Sequence, residues 1–93
     1  MKIPMQEAIK VHEAAGLYFF NERTMRFFNS RIVSSHVLVE WFVTGERLGY
    51  NDEERFTVRH IDWDTGSITT VGEFQQYDTA DEAMAEVRKL ASA

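Results

Sequence analysis

Cysteine is absent from the 93 residues, which excludes disulfides, thiol nucleophiles and zinc sites built on thiolates. Proline occurs once, at Pro4, and no Gly/Ser-rich stretch interrupts the chain. Nothing is available to form a linker, and no repeat or low-complexity tract is visible, so a single domain over 1–93 is expected. No apolar run reaches the roughly 18 residues of a membrane-spanning helix. The stretch from Met1 to Lys10 lacks the apolar centre of a signal peptide. A cytoplasmic protein with no membrane partner is the expectation.

Reactive motifs are equally scarce. Five glycines form no nucleotide-binding fingerprint, and no Gly-x-Ser-x-Gly elbow occurs. Ser34-Ser35-His36 places serines beside a histidine. On a strand, however, Ser35 and His36 would point to opposite faces and would not pair easily. The best metal candidate is the set His60, Asp62 and Asp64, which share one face if their strand continues to residue 64. The competing reading gives both aspartates to hydrogen bonds of a hairpin turn. Asp52-Glu53-Glu54 form a carboxylate run in a hydrophilic segment, where a solvated surface is the simplest account. No metal, cofactor or enzymatic activity is expected, the alternative being a small enzyme of unrecognised type, which would need a deep pocket holding a perturbed acid or base.

What is present is apolar and aromatic. Hydrophobic residues make up 44% of the chain and aromatics 13%, including seven Phe, three Tyr and two Trp. That is globular composition. A folded chain of 10.8 kDa should expose roughly 5,500 Å². A core this small absorbs only part of the rings. Phe42, Tyr50, Trp63 and Tyr77 are the aromatics expected nearer the surface, where apolar area marks interfaces and a homodimer is one outcome.

Periodicity supplies the elements. Met5, Ala8, Ile9 and His12 share a helical face over 4–15, with Pro4 suited to the first helical position and Gly16 to the stop. Leu17-Tyr18-Phe19-Phe20 reads as a short strand pairing at a sheet edge. Asn21 can cap a short helix over 22–28. Residues 32–44 alternate, with Val33, Val37, Val39, Trp41 and Val43 assigned to the core face. Residues 44–54 read as an exposed loop. The strand 55–63 switches phase near Arg59-His60, which predicts a bulge or a strand covered on both faces. Asp64-Thr65-Gly66 signals a hairpin leading into a strand over 67–77, with Ile68, Val71 and Phe74 buried. Thr79 and Glu82 form a capping box for a helix over 80–91, whose stripe is Ala80, Ala83, Met84, Val87, Leu90 and Ala91. The fold class is α+β. The expected architecture is an antiparallel meander of three to four strands with the C-terminal helix packed on one face, an N-terminal helix, and a short helix after the first strand.

The charge of −5 is unevenly spread. Residues 1–31 carry five Lys/Arg against three acids, and the remainder five against twelve. An acidic body repels nucleic acid, so nucleic acid is not the expected partner. The segment 23–31 departs from that trend: Arg23, Arg26 and Arg31 interleave with Phe27 and Phe28. Three readings fit it: a short amphipathic helix with Phe inside and Arg outside, a protein interface, or a grip on a nucleic-acid strand. Another protein is the expected partner, bound through Arg23, Arg26, Phe27, Arg31, Tyr50, Asp52, Glu53, Glu54 and Trp63. If that partner normally holds nucleic acid, the acidic loop 46–54 with Asp62, Asp64 and Glu73 could imitate phosphates.

Tyr18-Phe19-Phe20, Thr24-Met25-Arg26-Phe27-Phe28-Asn29-Ser30-Arg31, Phe56-Thr57-Val58-Arg59 and Thr70-Val71-Gly72-Glu73-Phe74-Gln75-Gln76-Tyr77 together resemble a family of short bacterial and phage proteins of unknown function. The likeness runs from Tyr18 to Tyr77 and leaves helix 4–15 outside. It implies no reaction, cofactor or catalytic residue. It does imply a phage or mobile-element setting and a protein that acts by binding, as small acidic inhibitors of host defence such as anti-CRISPR proteins do.

Overall fold

The structure is a computed structural model and describes residues 1–48 and 53–93. The element order is β1 (Lys2–Pro4), α1 (Met5–Ala14), α2 (Glu22–Phe27), β2 (Ser30–Ile32), β3 (His36–Leu38), β4 (Trp41–Glu46), β5 (Arg55–Ile61), β6 (Ile68–Val71) and α3 (Ala80–Ala91). The strands form one six-stranded antiparallel sheet in the order β1-β3-β4-β5-β6, with β2 also pairing β4. The α+β class and the helix on the sheet follow the sequence reading, while the sheet is wider than three to four strands. The folded chain exposes 5943 Å².

The central pair is β4 with β5, in unbroken register from Trp41↔His60 to Glu46↔Arg55. There is no bulge. The phase switch arises because both faces are covered. On one face Val43, Phe56 and Val58 pack with Ala83 and Val87 of α3. On the other, Phe42 and Ile61 pack with Val37 and with Met5 and Ala8 of α1. Each fully buried side chain of this size contributes about 1.5–3 kcal/mol. α3 is held as its capping box predicts, with the Thr79 hydroxyl accepting from the Glu82 amide. α1 starts at Met5, one residue later than expected, with Pro4 as its N-cap and the last residue of β1. It ends in a Schellman arrangement: Gly16 (φ 78°) donates to the Glu13 carbonyl and Leu17 to that of His12.

Three expectations are corrected. Residues 17–20 form no edge strand and end in a turn at Phe19-Phe20: the Phe19 amide donates to His12 Nε2, and the Phe19 and Phe20 rings pack on the His12 ring. Residues 32–44 are not one strand, because a turn at Val39-Glu40 folds them into a hairpin. Val39 there has φ 59°, an unusual value for a β-branched residue. Its amide donates to the Met1 carbonyl and its own carbonyl accepts from Trp63 Nε1. The reversal puts Val37 and Val43 on opposite faces and buries Phe42 completely. Finally, β6 stops at Val71, since Gly72 (φ 73°) and Gln75 (φ 58°) turn the chain away, and Phe74 is exposed.

Candidate functional site

β4 and β5 present Thr44, Glu46, Thr57 and Arg59 on the same face as Phe42 and Ile61, because alternate residues of paired strands share a face. Glu46, expected in a solvated loop, is instead the last residue of β4 and 0% exposed. Its carboxylate accepts from Thr57 Oγ1 (2.7 Å), Thr44 Oγ1 (2.7 Å), Ser30 Oγ (2.9 Å) and Arg59 Nη2 (3.2 Å). Arg59, 9% exposed, also donates through Nε to Thr44 Oγ1 (3.0 Å) and through Nη1 to Thr70 Oγ1 (2.8 Å). Burial pulls the guanidinium below its ordinary value, and the Glu46 charge opposes that fall. A buried ion pair costs several kcal/mol in lost hydration per ion before attraction repays it. The hydroxyl shell is what makes this pair tolerable.

Aromatic rings close over the pair. The Arg59 Cζ lies 5.1 Å from the Phe19 ring centre and 5.6 Å from that of Phe74. Such contacts are worth about 0.5–2 kcal/mol. Arg59 forms one wall of a cavity of about 250 Å³ whose other walls are Phe19, Thr24, Met25, Phe28, Ser30 and Phe74. Among these residues Arg59 alone is charged. α2, capped by Asn21 Oδ1 accepting from the Arg23 amide, separates this cavity from a broad open hollow lined by Tyr18, Asn21, Glu22, Arg23, Thr24 and Arg26.

The predicted binding residues divide into groups. Phe27 is 77% exposed, which removes the reading of α2 as a helix with its Phe turned inward. Its ring sits 5.0 Å from Phe28, and Phe28 6.4 Å from Phe74, giving a row of three rings at the surface. Arg23 and Arg26 flank it, Arg26 hydrogen-bonded to Glu22. Arg31 and Glu54, from opposite halves of the predicted site, pair with each other in a bidentate fork of 2.5 and 2.7 Å. That bond raises Arg31 and holds Glu54 below the usual carboxylate value. Gly45 leaves the room: a Cβ there would fall 2.6 Å from Glu54 Oε2. Glu53 is exposed beside Glu54. Trp63 lies apart, packed on the α1 side of the core. Tyr50 and Asp52 are outside the described residues. Of the acids expected to imitate phosphates, Glu46 is buried and Glu54 is paired with Arg31.

The metal candidates do not converge. His60 bonds Glu40 (3.3 Å) and its ring lies against Trp41. Asp62 Oδ1 accepts from the amides of Asp64 and Thr65. Among the described residues no group of three or more His, Asp and Glu could hold an ion. Ser35 Oγ and His36 Nδ1 do meet, at 3.1 Å, since Ser35 precedes β3 and is free of strand geometry. The contact is exposed, and among the described residues no carboxylate orients the ring. His12 is buried between Gly66 O, to which Nδ1 donates, and the Phe19 amide, from which Nε2 accepts. The Glu46–Arg59 pair is hidden in the sequence because the polar, glycine-containing stretch 44–54 reads as loop. The available signal was Thr44-x-Glu46 and Thr57-x-Arg59, polar pairs at strand spacing among buried apolar residues. No helix among the described residues is long and apolar enough to cross a membrane.

No curated protein and no solved structure matches the chain. A family match does exist, and it begins at Pro4, so the N-terminal helix lies inside the likeness and not outside it. With residues 4–88 matched, the chain belongs to the family of unknown function DUF7447.

Proposed function

We propose that this chain is a non-enzymatic binding protein that docks another protein against its aromatic end, where Phe27, Phe28 and Phe74 meet Tyr18, Arg23 and Arg26. The observation that carries the reading is the row of three rings held open to solvent, with Phe27 77% exposed. Exposed aromatic area of this kind costs solubility unless something covers it, and aromatic and Arg side chains dominate binding energy at protein interfaces. Supporting it further, His12, Asp62 and Glu46 are committed to structural hydrogen bonds. Nucleic acid is less well supported, because Arg26 and Arg31 already face carboxylates. A cytoplasmic phage or mobile-element protein that inhibits a host defence complex is the fuller form of this proposal. Its support is the small acidic chain and the resemblance already described.

The test is site-specific photocrosslinking in cells that express the chain. Benzoylphenylalanine at position 27 should give one discrete adduct, lost on Phe28→Asp, whereas the same probe at exposed position 89 gives none. Absence of an adduct at 27, or the same products at both positions, would reject the proposal.

A further inference from the structure

The cavity beneath that aromatic row has a chemistry of its own. Its volume, about 250 Å³, is below the roughly 300–1,000 Å³ of sites for drug-sized ligands. One ring-sized group fits; a nucleotide does not. Phe19, Phe28, Phe74 and Met25 make its walls apolar. Its charge is balanced in advance, because Arg59 is already paired with Glu46. A guest carboxylate set on Arg59 would also lie near the Glu46 charge that Arg59 already holds, and a guest ammonium would face Arg59 itself. Neither finds an unpaired counter-charge to offset its lost hydration.

Hydrogen-bonding capacity remains. Arg59 Nη1 and Nη2 each carry two hydrogens, and each makes one bond among the described residues, to Thr70 and Glu46. Ser30 spends its hydrogen on Glu46, which leaves its oxygen able to accept. The cavity therefore offers apolar walls, a donor and an acceptor, without net charge.

We infer that this cavity takes the side chain of a tyrosine from the docked protein: an uncharged aromatic ring whose oxygen accepts from Arg59 and whose hydroxyl donates to Ser30. The inference rests on the protein-binding reading above and names the anchor of that interface. Phenylalanine lacks the oxygen, and its entry would leave the Arg59 donor unmet. Acidic and basic side chains are disfavoured by the balanced pair.

The probe is p-cresol, the tyrosine side-chain analogue, titrated into protein labelled at methionine methyl groups. Met25 should shift saturably. Toluene should bind about ten- to a hundredfold more weakly, as the loss of two hydrogen bonds, one of them from a charged donor, dictates. p-Toluate and 4-methylbenzylammonium should be weaker than p-cresol. Ser30→Ala should weaken p-cresol but not toluene. No saturable Met25 shift, or equal binding of toluene and p-cresol, overturns the inference even if position 27 still crosslinks a partner. Millimolar p-cresol should also suppress the position-27 adduct. An adduct that persists with the cavity filled overturns the anchor while leaving the docking surface standing.

Discussion

The Glu46–Arg59 pair yields the sharpest stability prediction. Glu46→Gln keeps the side-chain volume but removes the charge opposite a guanidinium that is 9% exposed. It also turns an amide nitrogen toward hydroxyls that currently donate to both carboxylate oxygens. Breaking a buried pair on one side costs about 3–5 kcal/mol. A domain of this length has about 5–14 kcal/mol of stability in all, so about a fifth or more of it is lost. At about 4–8 °C per kcal/mol, Tm should fall by about 12–40 °C. Arg59→Met should cost a comparable amount, softened by the three hydroxyls that still satisfy Glu46. The double variant Glu46→Gln/Arg59→Met leaves no buried charge and should be at least about 2 kcal/mol more stable than the sum of the singles implies. Urea unfolding followed by the fluorescence of Trp41 and Trp63 reads all four proteins, with m checked for constancy. Single losses below about 1 kcal/mol, or losses that simply add, would refute the claim that the pair is energetically coupled and dry.

Other outcomes follow from the same physics. His12→Leu keeps the bulk but strands the Phe19 amide and the Gly66 carbonyl, and should cost about 2–4 kcal/mol by thermal denaturation. Glu54 is held below its unfolded value of 4.5 by the Arg31 bond, so its contribution is fully present above that pH and is lost as pH falls through the lower folded value. The stability difference between wild type and Glu54→Gln should stay under about 1 kcal/mol, because Arg31 is more than half exposed, and should vanish in acid titrations. Gly45→Ala should displace the Glu54 carboxylate and erase the same pH-dependent difference. Phe27→Ser should leave Tm within a few degrees of wild type, since the ring is largely exposed, yet abolish partner binding in a pull-down.

Helix α3 was legible because its signals are local: a Thr cap, acids at the start, and an apolar stripe that the sheet happens to accept. The same holds for the Gly16 stop and the Asn21 cap. The Val39-Glu40 turn was not legible, since neither residue favours a turn. Trp63, Met1 and Ile61 hold it from elsewhere in the chain. Missing that turn assigned Val37 and Val43 to one face and left Phe42 near the surface. The site divided in the same way. The exposed Arg/Phe segment could be seen in sequence, whereas the Arg31–Glu54 fork spans 23 positions and the Glu46–Arg59 pair 13, distances over which no pattern speaks.

The polar cluster under the rings also acts as a proofreader of assembly. It joins β2, β4, β5 and β6 through Ser30, Glu46, Thr57, Arg59 and Thr70, while the Gln75 side chain donates to the Glu46 backbone carbonyl. Sliding β5 by one position would turn Arg59 toward the hydrocarbon under α3 and leave Glu46 with no cation. Valine-rich strands alone would tolerate that error cheaply. Here a mispaired sheet abandons two charges in oil, so only one alignment of the hairpin survives.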